Sequence, residues 1–249
     1  MKNVVITGAE TGIGYYLVKQ LLVDGYNVTA LDLQTDNLSG LCKEYGSLFP
    51  MVCDVRDLKQ MKLCVGESIN KFGGIDCAIH NACMCTFGSM EQTSEEIFHN
   101  VMDVNFYGAL HLSQVVLPYM KNQKNGKVIF TSSGVGTMGF VNISPYASSK
   151  GAIESLAKCL NVEYQEYGIS FHIFHPPLTR TKSAEPLPVP KEFMAEPQKV
   201  GVGLSKHINK KSFIICHSFG QKIQTMACYL FPIKLGKLMS KMTARYEAK

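Results

Sequence analysis

Short, continuous apolar runs alternate with longer stretches of helical character along almost the whole chain. Seven such runs fall at 3–7 (NVVIT), 27–32 (NVTALD), 49–53 (FPMVC), 75–80 (IDCAIH), 127–132 (KVIFTS), 170–175 (SFHIFH) and 212–216 (SFIIC). Continuous rather than alternating hydrophobicity marks strands buried on both faces. Helical stretches are expected near 12–24, 35–46, 57–72, 92–121, 146–167 and 197–209. Strict alternation of strand and helix gives right-handed crossovers. The expected fold is therefore α/β: one doubly wound domain, with a parallel sheet of about seven strands and helices on both faces.

No Pro- or Gly-rich linker divides the 249 residues, so residues 1–225 are read as one domain and 226–249 as a basic, amphipathic tail of the same domain. Prolines 186, 188, 190 and 197 place a long loop near 182–197. The opening MKNVVITGAE is interrupted too early for a signal peptide, and no apolar run is long enough to span a bilayer. Nine scattered cysteines fit reduced thiols in a cytoplasmic protein. Cys83 and Cys85 form a C-x-C without a second pair at ligand spacing, so no metal site is expected. The net charge of +5 is uneven: residues 198–249 carry ten Lys or Arg and one acid, a local +9 against −4 for the rest.

The first strand runs into TGAETGIG, with glycines at 8, 12 and 14. Strand, glycine turn, then helix is an arrangement that can hold a pyrophosphate. The backbone approaches closely and the helix N-terminus offers free N–H groups. Asp32 ends the second strand, where a carboxylate can accept from ribose hydroxyls and repel a 2′-phosphate. Glu10 and Thr11 stand where a cation would favour NADP, so NAD is expected over NADP. Asp54 follows the third strand and could either meet the adenine amino group or cap the helix starting near Leu58.

Four further segments fall in order behind this turn: HNAC (80–83), VNFYG (104–108), FTSSGVG (130–136) and YASSK (146–150). With the turn, they resemble the motifs of the short-chain dehydrogenase/reductase family over about residues 3–216. The gap of 13 residues from Ser133 to Tyr146 is also that family's. The resemblance implies a Rossmann-type fold and four catalytic residues. Tyr146 would be the general acid/base, Lys150 would tune it and hold the nicotinamide ribose, and Ser133 would bond the substrate oxygen. Asn105 would order a water that relays protons. A lysine one turn along a helix shares the tyrosine's face, and its charge stabilises a phenolate. The resemblance further implies cofactor contacts at Gly8, Glu10, Thr11, Gly12, Ile13, Gly14, Asp32, Leu33, Asp54, Val55, Asn81, Ala82, Pro176, Thr179 and Thr181, besides Tyr146 and Lys150. Subunit pairing through the helices at 92–121 and 146–167, as a homo-dimer or homo-tetramer, is implied as well.

The motifs are not all intact. His80 replaces an asparagine, Cys83 a glycine, and Pro177 a glycine in HPPLTRT (175–181). The P-P-x-T-x-T form is similar to that of 3-ketosphinganine reductases, which points to an NADP-dependent lipid-ketone reductase as an alternative. A dinucleotide sensor without catalysis is the other. The expected substrate walls are Cys85, Thr86 and Phe87; Thr137, Met138, Phe140 and Ile143; and Leu187, Val189, Phe193 and Met194. They are mostly apolar and hold no cation placed for a carboxylate, so a hydrophobic secondary alcohol or ketone is expected. In the tail, Lys234, Lys237, Lys241 and Arg245 share one helix face, with Leu235, Leu238, Met239 and Met242 on another. Such a helix could touch an anionic membrane surface, a neighbouring subunit or its own body. No aromatic and basic stacking surface suggests nucleic acid.

Overall fold

The computed structural model describes residues 2–247, with side chains as far as Arg245. In chain order the elements are β1 (Asn3–Thr7), α1 (Gly12–Val23), β2 (Asn27–Asp32), α2 (Asp36–Cys42), β3 (Leu48–Val52), α3 (Leu58–Phe72), β4 (Cys77–His80), α4 (Glu95–Met102), α5 (Gly108–Gln123) and β5 (Gly126–Thr131). They continue with α6 (Val135–Met138), α7 (Ser144–Glu163), β6 (Ile169–His175), α8 (Pro197–Ser205), β7 (Ile214–Cys216), α9 (Phe219–Leu230) and α10 (Pro232–Glu247). The seven strands form one sheet in the order β3-β2-β1-β4-β5-β6-β7. Every pairing is parallel.

The strands are buried on both sides because successive residues feed two separate cores. Val5, Val128, Phe130 and Phe171 point to the layer of α3, α5 and α7, against Met61, Leu112 and Ile153. Val4, Ile6, Ile129 and Phe174 point to the layer of α1, α2 and α8, against Leu17, Leu21 and Val200. Each such side chain contributes about 1.5–3 kcal/mol by leaving water. Both cores are continuous, which is the energetic content of the doubly wound sheet.

Several boundaries differ from those expected. The stretch at 92–121 is two α-helices joined by a π-helical segment, Asp103–Tyr107, which carries Asn105. Helix α7 starts two residues early because Pro145 sits in its first turn, where a missing N–H costs nothing. It ends at Glu163, and Gly168 at φ 71° closes the short 3₁₀ turn that follows. Residue 226, the expected start of the tail, lies in the middle of α9.

β1 is flanked by β2 on one side and β4 on the other, so the chain leaves β1 in one direction and returns on its far side. Ligands of such sheets bind at the carboxyl ends of the strands beside this switch.

Candidate active site

The carboxyl ends of β1 and β4 open onto a cavity of about 650 Å³. Gly8 and Gly12 take φ 65° and 59°, in the left-handed region that glycine tolerates. A Cβ on Gly8 would stand 2.5 Å from the Ala82 nitrogen, and one on Gly14 would overlap the Gly8 carbonyl. The turn is bolted to β4: Asn81 Nδ2 donates to the Gly8 carbonyl at 2.8 Å. The main-chain N–H groups of Asn81 and Ala82 both donate to Thr7 Oγ1 at 3.2 Å. Thr11, Gly12 and Ile13 line the cavity at the N-terminus of α1, and the Thr11 side chain makes no capping bond there. Close-packed glycines below a helix N-terminus are what a pyrophosphate requires, so a dinucleotide fits these residues.

Asp32 also lines the cavity. Its Oδ1 accepts from the Leu33 N–H at 2.7 Å and its Oδ2 from the Glu10 N–H at 2.9 Å. A carboxylate so held keeps lone pairs for further donors. Glu10, expected among the cofactor contacts, is not in the wall. Its buried carboxylate accepts from the N–H groups of Asn37 at 2.6 Å and Leu38 at 3.3 Å, at the N-terminus of α2. Its main chain instead fixes Asp32. Gly14 is likewise behind the wall. Leu33, Asp54, Val55, Asn81 and Ala82 are in it.

Of the two readings of Asp54, the helix cap falls to Asp57, which accepts from Lys59 and Gln60 at 2.8 and 3.2 Å. Asp54 binds Arg56 through both oxygens, at 2.6–3.0 Å. The Arg56 guanidinium holds the Asp54 carboxyl below its ordinary range. Arg56 itself lines the cavity and carried no signal in the sequence beyond its charge.

At the other end of the cavity, Ser133, Tyr146 and Lys150 come together. Lys150 is 1% exposed, and its Nζ donates to the Thr131 carbonyl at 2.8 Å. The same Nζ lies 5.5 Å from the centre of the Tyr146 ring. The Tyr146 hydroxyl shares the cavity wall with Ser133 and Cys83. Burial pushes that hydroxyl well above the ordinary phenol range; Cys83 and Cys85 add to the shift and the Ser133 bond opposes it. The direction is upward where a lowered phenol is expected; Lys150 stands beside the ring, its Nζ bonded to the Thr131 carbonyl.

Asn105 stands one layer back. Its amide donates to the Met84 carbonyl and to Ser149 Oγ, both at 2.9 Å, and its Oδ1 accepts from the Met84 N–H at 2.8 Å. It joins the π-helical segment to the loop after β4 and to α7. Pro176, Thr179 and Thr181 complete the cofactor end. Thr179 bridges to Ala195, and Arg180 binds Glu196 at 2.7 Å, which stitches the stem of the Pro-rich loop.

Of the expected substrate walls, Cys85, Met138, Phe140, Ile143, Leu187 and Val189 line the cavity; Thr86, Phe87, Thr137, Phe193 and Met194 do not. The remaining wall was missed. Gln221, Thr225 and Cys228 of α9 and Met239 of α10 close the far side. Their spacing of four and three residues was the available signal. Helix α9 is tied inward by Tyr229, which donates to Glu154 Oε2 at 2.5 Å. Glu154 also accepts from Ser132 at 2.6 Å and meets His175 Nε2 at 2.9 Å. Burial works against the Glu154 charge, but these three partners hold its carboxyl below the ordinary range.

A phosphate-type turn at one end of a single cavity and a Ser–Tyr–Lys group at the other define a dinucleotide-linked oxidoreductase. The short chain dehydrogenase model matches residues 2–191. A 3-oxoacyl-[acyl-carrier-protein] reductase of Thermotoga maritima is 32% identical over 75% of this chain and 78% of that protein. A 3-ketodihydrosphingosine reductase of Bos taurus is 26% identical over 93% of this chain and 76% of its own. A short-chain dehydrogenase from Streptomyces avermitilis superposes with a TM-score of 0.83 at 21% identity, over 98% of this chain and 97% of the other. The chain belongs to the short-chain dehydrogenase/reductase family, and is an NAD(P)-dependent oxidoreductase acting on CH–OH groups.

Proposed function

We propose that the protein transfers a hydride between NAD and a hydrophobic secondary alcohol or ketone, with Tyr146 as general acid/base. The observation that carries this is the placing of the Tyr146 and Ser133 hydroxyls where apolar walls meet the dinucleotide end of the cavity. Met138, Phe140, Ile143, Leu187 and Val189 offer no charge to a substrate carboxylate. A nicotinamide dinucleotide held by the glycine turn supplies or accepts the hydride, which no side chain of this protein can do.

The residues divide the remaining work. Ser133 donates to the substrate oxygen, where negative charge gathers in the transition state. Tyr146 gives that oxygen its proton during reduction and removes it during oxidation. Lys150, anchored by the Thr131 carbonyl, keeps a buried positive charge beside the ring. Asp32 stands in the wall at the end of β2 and supports NAD over NADP. Arg56, the nearby cation in that wall, is already bound by Asp54.

The test pairs coenzyme binding with turnover. The chain has no tryptophan, so bound NADH fluorescence can be followed with little protein background. NADH is expected to bind more tightly than NADPH; the reverse order would remove the Asp32 argument. A screen of secondary alcohols and ketones is expected to find turnover that Tyr146→Phe lowers at least a hundredfold, with NADH binding kept. Tight NADH binding without any turnover across the screen would favour a sensor instead. One observation favours a lipid ketone among the substrates. The alignment with the bovine 3-ketodihydrosphingosine reductase spans 93% of this chain, so it runs through α9, which walls the cavity here.

A further inference from the structure

The side of α9 that faces away from the cavity carries Phe219, Ile223, Met226 and Leu230, spaced four, three and four residues apart. That spacing puts them on one line along the helix. They are 77%, 58%, 46% and 66% exposed. Phe231 and Ile233, 52% and 66% exposed, carry the line across the bend into α10. A contiguous strip of large apolar side chains in water marks a contact surface, whereas single exposed ones do not. The inner side of the same helix is already engaged, with Gln221, Thr225 and Cys228 buried.

The apolar residues of α10 are mostly engaged too. Leu235, Met239 and Met242 are part-buried, Met239 lines the cavity, and Ser240 accepts from the Val141 N–H at 3.2 Å. The free apolar surface is therefore mainly the outer face of α9; of the tail face that the sequence suggests, only Leu238 stands exposed, at 53%.

Exposed cations accompany this strip along the chain. Lys222 flanks it on α9, while Lys234, Lys237 and Lys241 stand exposed on α10. Lys234 Nζ lies 5.8 Å from the centre of the Phe231 ring. No Asp or Glu occurs from residue 198 to residue 246. A second copy of this face would set like charges against like, with no local acid to pair them. An anionic bilayer suits both features at once. Apolar side chains enter the boundary between headgroups and acyl chains, and lysines beside them pair with the lipid phosphates. Among the described residues no helix is long and apolar enough to cross a membrane.

We propose that the protein docks peripherally on anionic membrane surfaces through the outer face of α9 and the adjoining start of α10. Docking goes beyond the enzymatic reading and does not depend on it. It sets the bilayer against the helix whose other side walls the cavity.

The test is flotation of the full chain with phosphatidylcholine vesicles, with and without phosphatidylglycerol. Binding is expected to the anionic vesicles only, and to fall away in high salt. Ile223→Asp with Leu230→Asp is expected to lower the bound fraction more than tenfold. Lys222→Glu with Lys234→Glu should do the same without removing an apolar group. All four side chains are exposed, so an unchanged melting temperature is expected to accompany the loss. Equal binding to neutral vesicles, or no binding to either, would overturn the proposal. So would a dimer that the aspartate pair converts to monomer, since that assigns the face to a second copy. Flotation reads no catalysis, so a failed substrate screen leaves this result standing.

Discussion

Cys83 brings a thiol to a position where the family pattern has glycine, and it lines the same cavity as Tyr146. A group attached to its sulfur would occupy the space in which Tyr146 meets substrate. N-ethylmaleimide is therefore expected to inactivate the enzyme, and bound NADH to slow the loss. Cys83→Ala should lose most of that sensitivity, judged against its own untreated rate. Equal sensitivity in the variant would place the reactive thiol elsewhere, with exposed Cys159 the first candidate. At this scale the sequence was informative wherever spacing alone sets position. Tyr146, Lys150 and Ser133 meet because one turn of α7 and the end of β5 bring them together. Glu10 was misleading because a side chain beside a turn has two directions open to it. The empty N-terminus of α2, with N–H groups in need of an acceptor, decided between them. Arg56 was silent because a charge in sequence does not say which neighbour will take it.

Elements were legible in proportion to how much of their surface the sheet covers. All seven strands and α1, α2, α3, α7 and α8 declare themselves by apolar pattern. Helix α9 was hidden: its buried line, Gln221, Thr225 and Cys228, is largely polar, while its apolar line faces out, the reverse of the usual pattern. The join of α4 and α5 was hidden as well, since a π-helical segment keeps the apolar character of its neighbours. One packing contact can be tested directly. Gly201 brings α8 onto α1 so closely that a Cβ would stand 2.8 Å from the Leu17 nitrogen and 2.9 Å from the Ile13 carbonyl. Both are main-chain atoms of a helix and cannot step aside alone. Gly201→Ala is expected to cost about 1–3 kcal/mol in chemical denaturation. It should also weaken NADH binding, because Ile13 belongs to the phosphate turn. A variant as stable as the parent would mean that the two helices slide apart freely.

For the molecule as a whole, acid is the expected weakness. Burial, above all, lowers the proton affinity of His80 to about 3 and of His172 to about 4. Both would titrate near 6.5 in the unfolded chain. Between those limits the unfolded state holds more protons, so stability falls as pH drops below about 6.5. The slope is about 1.4 kcal/mol per pH unit for each histidine. The depressed Glu154 carboxyl contributes in the same direction at lower pH still, its stabilisation being lost as pH falls through its folded value. Denaturation series from about pH 7 to about pH 5 should show this loss, and His172→Gln should make it shallower. A stability independent of pH over that range would contradict the buried, neutral state of both rings.

The junction of Gly8 with Asn81 has a consequence beyond catalysis. It lies where the sheet's two halves diverge, and a dinucleotide seated there would clamp them to each other like a rivet. Saturation at about a hundred times Kd stabilises a native fold by about 2.7 kcal/mol, so NADH should raise the melting temperature by several degrees. The resistance of this enzyme to heat and proteolysis is then expected to rise and fall with the coenzyme supply around it.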